Sequence, residues 1–530
     1  MLYSQRCAGI LLPLYAFPSP YGIGDLGQSA FEVIKWVRDA GFKVLQVLPL
    51  HPTGFGDCPY SPLSTYAGNP LFIGFDSFLF RGLVTLDELG PLLEMSQTHI
   101  NYGVLVPLKL KLLKLIFSRW SVVATNEERQ SLQIFQSRTN WWLNQYTAYT
   151  VLKEKFNEPW WSWPVELRLP NQDVVLQVIS ANAESSEFQV WVQWIFFSQW
   201  EIFREYANAL GVKILGDVPL YVSPDSVEAW CDKNVLSQDE VAGVPPDFFQ
   251  PETGQLWNNP VYQWENNHDL VMQWWITRMR WLSNLYDGVR IDHFRGIIEA
   301  WAVPKGSSTA RYGRWMRVPG FELMANLVAT LGDSMQYIAE DLGGISPETA
   351  REIEQLRALY SIPGMAVVAL HGFDGSMNNP FHPWSLQSKH DNDRMAITST
   401  HDDNTVVGWW FGEASNDTKN WLAAHHDFVA GYKYRNRPHL PGHGKRIVPG
   451  WAVCEVVAHT SCRFAVLRWQ DLLNLSAAYR DNRPGTVDGN WTPRVLEGAF
   501  SQELAIAIKN LLDSSGRLSN ERLPIIQSLN

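Results

Sequence analysis

Apolar positions along this chain gather into short runs. They occupy residues 8–14, 44–50, 212–222, 288–294, 335–340, 365–370, 396–400 and 464–467. Several are continuously apolar and do not alternate, as parallel strands buried on both faces are. Segments with helical spacing lie between them. Eight such runs predict an α/β chain folded as a (β/α)8 TIM barrel. The spacing is uneven. About 160 residues part the second run from the third, too many for a loop. A mainly helical insertion subdomain is therefore expected over residues 76–210, after strand 2, with large insertions decorating one catalytic unit of residues 1–530. Inside it, Pro107 is placed at a first helical position. Leu112, Leu113, Leu115, Ile116 and Trp120 follow at near-helical spacing. Lys109, Lys111, Lys114 and Arg119 read as that helix's solvated face rather than as a membrane-surface stripe. A long helix over 187–210 should stop at Gly211. Residues 241–262, rich in Pro, Gly and Asn, read as a loop. Following strand 3, they would lie over the active rim as a lid.

Composition narrows the function more than the fold. At 530 residues the chain exceeds one ordinary core. Its net charge is −11, with no basic block, so a nucleic-acid partner is not expected. Five scattered cysteines without a Cys-x-x-Cys pair fit a reducing cytoplasm and no structural zinc. No run reaches the roughly 18 apolar residues of a membrane span. The apolar stretch 7–17 lacks a small-x-small cleavage pattern and is read as the first strand, not a secretory signal. The 25 tryptophans should mostly fill cores. A minority could line a sugar cleft, because an indole face suits the C–H face of glucose.

Three runs end in a carboxylate: Asp292, Glu340 and Asp402, spaced 48 and 62 residues apart. Successive barrel strands that each deliver one side chain to a common rim produce such spacing. Paired carboxylates are the working groups of glycoside chemistry. Arg290, two residues before Asp292 on a strand, would stand beside it and favour its charge. Taken alone, that pair reads equally as a strand-end salt bridge. Glu340 alone reads as an acid in an apolar pocket or as a loop cap. His401 and Asp402 could bind two adjacent sugar hydroxyls or form a structural pair. No ligand spacing for a metal accompanies them.

The chain resembles the 4-α-glucanotransferase family, also called amylomaltase or disproportionating enzyme, over nearly its whole length. The resemblance is carried by Ser19-Pro-Tyr-Gly-Ile-Gly-Asp-Leu-Gly27, Gln46-Val-Leu-Pro-Leu50, Pro59-Tyr-Ser-Pro-Leu-Ser-Thr-Tyr-Ala-Gly-Asn-Pro70 and Gly216-Asp-Val-Pro219. It continues through Gly243-Val-Pro-Pro-Asp247, Thr253-Gly-Gln-Leu-Trp257, Arg290-Ile-Asp-His-Phe-Arg-Gly296 and Ala339-Glu-Asp-Leu-Gly343, then Gln470-Asp-Leu-Leu473, Asn482 and Gly489-Asn-Trp491. The resemblance implies α-1,4-glucan transfer by a retaining double displacement, with Asp292 as nucleophile, Glu340 as acid and base, and Asp402 binding the 2- and 3-hydroxyls. That mechanism implies a separation of about 5–5.5 Å between the first two carboxyls. Tyr60, Asp217, Arg290, His293 and His401 match positions around the sugar, with Tyr60 stacked on its ring or simply packed under its loop. Asp247 and Trp257 would touch sugar from the lid, or pin it. Malto-oligosaccharides and starch- or glycogen-type glucans are the implied partners, and no cofactor is implied. A glucan hydrolase on the same barrel and a non-catalytic glucan-binding protein are the alternatives. One departure stands out. Where the family reads His-Asp-Asn-Asp-Thr, this chain has His401-Asp-Asp-Asn-Thr405, which is expected to alter hydrogen bonds around Asp402 without removing it.

Overall fold

Burial on both faces decides which apolar runs become barrel strands. The computed structural model describes residues 5–246, 250–343, 346–368, 393–414 and 449–518. Its strands are β1 (Cys7–Leu11), β2 (Val44–Gln46), β3 (Lys213–Val218), β4 (Leu236–Val244), β5 (Gln255–Tyr262), β6 (Gly288–Ile291), β7 (Glu299–Pro304), β8 (Arg314–Arg317), β9 (Gln336–Ala339), β10 (Gly364–Val367), β11 (Arg394–Ile397) and β12 (Phe464–Arg468). Every residue of β1 and of β12 is buried. These two pair in parallel, and the sheet runs β10-β11-β12-β1-β2-β3-β6-β9, so its neighbours follow chain order around the ring. At the seam, the Ala339 N–H donates to the Pro363 carbonyl at 2.8 Å, joining β9 to the lead-in of β10. All eight expected runs supply the strands of this (β/α)8 barrel.

Between β2 and β3 the chain forms helices Tyr102–Val123, Asn126–Phe156, Gln172–Ala181 and Ala183–Ala209. Side chains fix their starts. Asn101, Thr125 and Asn171 each accept a backbone N–H of the first turn, and Glu128 returns the bond to Thr125 as a capping box. Gly211, at φ +76°, ends the long helix before β3. Trp142, Trp163 and Trp230 are buried in a second apolar cluster between this insertion and the segment after β3. Many tryptophans are thus core residues.

Two details differ from expectation. Pro107 is not at the helix start. Asn101 already caps the helix, so Pro107 falls on its sixth residue and forgoes one intrahelical bond. Lys109 does not face water. It is buried 3.7 Å from Asp25 and lies over the Phe75 ring, because this turn of the helix packs against the barrel.

The segment 241–262 is also more ordered than a loop. It holds the end of β4 and all of β5, which pair antiparallel within a four-stranded sheet, β5-β4-β7-β8. Its loop-like residues are used as strand irregularities. Pro260 sits on the edge strand, where a missing N–H is tolerated. Asn258 takes a left-handed φ of +63°. Gly254 is at φ +63°, and a Cβ there would meet the Val244 carbonyl at 2.3 Å. Among the described residues no helix is long and apolar enough to cross a membrane.

Candidate active site

The C-terminal ends of the barrel strands deliver the charged side chains to one rim, as barrel geometry requires. Register does the placing. Asp217 on β3 pairs with Arg290 on β6, and Ile291 pairs with Ala339 on β9. The ladder continues past the strands: the Asp292 N–H donates to the Val218 carbonyl at 3.0 Å, and the Glu340 N–H to the Ile291 carbonyl at 3.1 Å. Asp292 and Glu340 are thereby held side by side.

The buried Arg290 guanidinium is the hub. One of its nitrogens lies 2.8 and 3.0 Å from the two Asp217 oxygens and 2.8 Å from Asp292 Oδ1, while the other is 4.0 Å from Glu340 Oε2. Asp292 keeps 29% of its side chain open to the cleft, against 13% for Glu340. Glu340 also accepts the N–H groups of His293, at 2.7 Å, and Leu342, at 3.1 Å. Those bonds and Arg290 pull its pKa down. Burial, helped by the Asp292 charge, outweighs them and pushes the Glu340 carboxyl up to about 8. The proton on Glu340 is therefore retained at neutral pH. His293 itself has a left-handed φ of +50°, which turns its N–H toward Glu340.

Tyr60, from the loop after β2, ties this half of the site to the other. Its hydroxyl lies 3.1 Å from Asp217 Oδ2 and 3.1 Å from His401 Nδ1, and its ring stacks on His401 at 4.4 Å. Burial raises the Asp217 carboxyl, and Arg290 and Tyr60 oppose it. With a guanidinium nitrogen at both its oxygens, we assign Asp217 as the anion. An anion only accepts, so Tyr60 gives its single proton to Asp217, and Nδ1 of His401 must carry the hydrogen that Tyr60 accepts. Burial lowers the His401 pKa to about 3, so the ring is neutral. Its Nε2 is then an acceptor, 3.6 Å from Asp402 Oδ2. Asp402 is half exposed. Two acceptors stand side by side, the exposed one on Asp402, an arrangement that calls for two donors.

The Asp402 loop is held from beneath. Buried Asp471 accepts from Thr398 Oγ1 at 2.7 Å, Ser399 Oγ at 2.9 Å and the Val406 N–H at 2.8 Å, stapling both ends of the loop. Asn482 Nδ2 donates to Asp402 Oδ1 at 2.6 Å, and Arg480 to the Asp402 carbonyl at 2.6 Å. In the exchanged pair, Asp403 accepts from the Thr400 N–H and hydroxyl at 2.7 and 2.8 Å. Asn404 donates to Glu413 at 2.6 Å, and its Oδ1 is buried without a partner.

Of the residues singled out from sequence, Tyr60, Asp217, Arg290, Asp292, Glu340, His401 and Asp402 are linked into this network. His293 is attached through its backbone. Trp257, on β5, stands edge-on to the His293 ring at 4.8 Å. Asp247 lies outside the described residues. The supporting roles of Asp471, Arg480 and Asn482 were missed. Asn482 and Asp471 fall within motifs already noted, but nothing in linear spacing ties them to Asp402.

Residues 12–498 match the family model described as 4-alpha-glucanotransferase. The chain is 36% identical over 523 residues to the 4-alpha-glucanotransferase of Thermus thermophilus, covering 97% of this chain and 99% of that one. It is 34% identical over 521 residues to that of Aquifex aeolicus, covering 97% and 100%. Among solved structures, an amylomaltase from Streptococcus agalactiae in complex with acarbose superposes with a TM-score of 0.85 at 28% identity, covering 97% of this chain and all of that one.

Proposed function

The chain belongs to the 4-α-glucanotransferase family, and we propose that its rim carboxylates divide the labour of a retaining transfer between α-1,4-glucans. Asp292 attacks the anomeric carbon. Glu340 gives its proton to the departing O4 as the C1–O4 bond breaks, and a covalent β-glucosyl-enzyme forms. Glu340, now anionic, takes the proton from the 4-hydroxyl of an incoming glucan, whose oxygen displaces Asp292. Two inversions leave the linkage α. Asp402 and His401 Nε2 accept from adjacent ring hydroxyls of the donor sugar. Arg290 orients Asp292 and gains a better-matched partner when Glu340 ionises.

The observation that carries this reading is the asymmetry of the pair. One carboxyl is 29% open to the cleft and ion-paired with Arg290, and its neighbour is only 13% open, with its pKa raised to about 8 by burial. That is the division of states the first step needs. The β4–β5 hairpin, with Trp257 against His293, is the lid in this reading, favouring a sugar acceptor over water. A cytoplasmic location belongs to the same reading and is supported by the scattered cysteines and by the absence of a membrane-crossing helix among the described residues.

Incubation with pure maltotriose tests it. Glucose should appear together with longer oligosaccharides. Shortening alone would make the enzyme a hydrolase. Asp292→Asn should abolish turnover while oligosaccharide binding persists, and a variant at wild-type rate would remove Asp292 from the mechanism.

A further inference from the structure

Away from the rim, three helices turn mixed faces toward one another. Arg138 and Trp141 share a face of helix Asn126–Phe156, Phe197 and Glu201 a face of helix Ala183–Ala209, and Arg280 and Trp281 the end of helix Trp264–Leu282. Together they border a cavity of about 700 Å³, within the roughly 300–1,000 Å³ of small-molecule sites. Trp141 remains 43% exposed and stands edge-on to Trp281 at 6.0 Å, and Phe197 meets Trp281 edge-on at 5.2 Å. The rings are thus fixed against one another while the Trp141 surface stays open. Around them, Arg138, Glu201 and Arg280 make no ion pair among the described residues.

The combination selects a ligand class. Aromatic faces suit the C–H faces of pyranose rings, and the rim offers both donors and acceptors for hydroxyls. A rim carrying both signs of charge does not fit a purely anionic ligand, and a charged rim does not fit a purely apolar one. The cavity is also remote from the chemistry. Asn284 and Leu285, which line it, precede the N-terminal end of β6, whereas Asp292 follows its C-terminal end.

We infer that this cavity is a second, non-catalytic docking site for an α-1,4-glucan, holding part of a long chain away from the bond being exchanged. The inference rests on the glucan-transfer reading of the active site. It predicts a dependence on chain length: short donors ignore the site and long ones use it. Trp141→Ala should raise KM for amylose about three- to tenfold, the loss of one aromatic contact, and leave maltotriose turnover unchanged. In the full-length Asp292→Asn chain, which cannot consume its ligand, adding Trp141→Ala should weaken retention in glycogen-containing gels. The Arg138→Ala, Glu201→Ala double variant, altered only at exposed positions, should reproduce both effects. Unchanged amylose KM in both variants overturns the site. So does a matching loss on maltotriose in both, since the defect would then be structural. If the wild-type chain fails to disproportionate maltotriose, the transfer reading falls, whereas Trp141-dependent glycogen retention would still support the site.

Discussion

Glu340 carries the residue-scale expectations. In the proposed first step its carboxyl, raised to about 8 by burial and by Asp292, must be protonated. Protonation is complete well below that value and is lost as pH rises through it. The kcat/KM profile should therefore show an alkaline limb near pH 8. A limb that is absent there, or unmoved when Glu340 is replaced, removes Glu340 as the acid. Glu340→Gln, which cannot supply a proton, should lower kcat about 10²–10⁴-fold. Because the Asp292 charge contributes to the rise, a carboxyl-carbon NMR titration of Asp292→Asn should place the Glu340 midpoint lower than in wild type. Asn482→Ala should cost kcat more than KM, since it frees Asp402 to swing without touching the stacking surfaces. The reverse pattern would make Asn482 a binding residue only. The three carboxylates were legible because they follow apolar runs, and Arg290 because it stands two residues before one of them on the same strand. Asn482 and Asp471 were not, because their partners lie in a loop 80 and about 70 residues distant, and only the folded rim brings them together.

At the scale of elements, the β4–β5 pair is the instructive case. Its Pro, Gly and Asn content signals a loop, yet Pro260 sits on the edge strand, Gly243 beside a register shift, and Asn258 and Gly254 at left-handed φ within a strand pair. Composition reports where pairing is irregular and not whether pairing occurs. The barrel strands, by contrast, were readable, because burial on both faces leaves runs that are mostly apolar. Gly254→Val should distort the hairpin, since its Cβ would enter the space of the Val244 carbonyl and its φ is unfavourable for a β-branched residue. The expected result is an increased share of hydrolysis among maltotriose products with little change in thermal midpoint. A product ratio equal to wild type would take the lid role from this element.

At the scale of the whole molecule, the insertion is joined to the barrel by a buried ion pair that sequence assigned to solvent. The spacing of Lys109 with Lys111 and Lys114 suggests one wet face, but a helix of this length contacts both barrel and water along its course. Lys109→Met alone strands the Asp25 charge and should destabilise the chain by about 3–5 kcal/mol, while Lys109→Met with Asp25→Asn should recover much of that. Equal losses in the single and double variants, by denaturant titration, would show that the pair is not coupled. Burial also lowers the Lys109 pKa to about 8. Between that value and the ordinary lysine pKa, the unfolded chain binds the extra proton, so this group makes stability rise with pH across that window.

The contact between Tyr60 and His401 spans 341 positions of sequence, and its two rings arrive from beyond β2 and β11, with β12 and β1 between them in the ring of strands. No contiguous fragment of the chain short of that span can hold the whole of the proposed site. Turnover is consequently an all-or-none report on closure: during refolding, helical signal can return early, but activity should reappear only with the final joining of the strands.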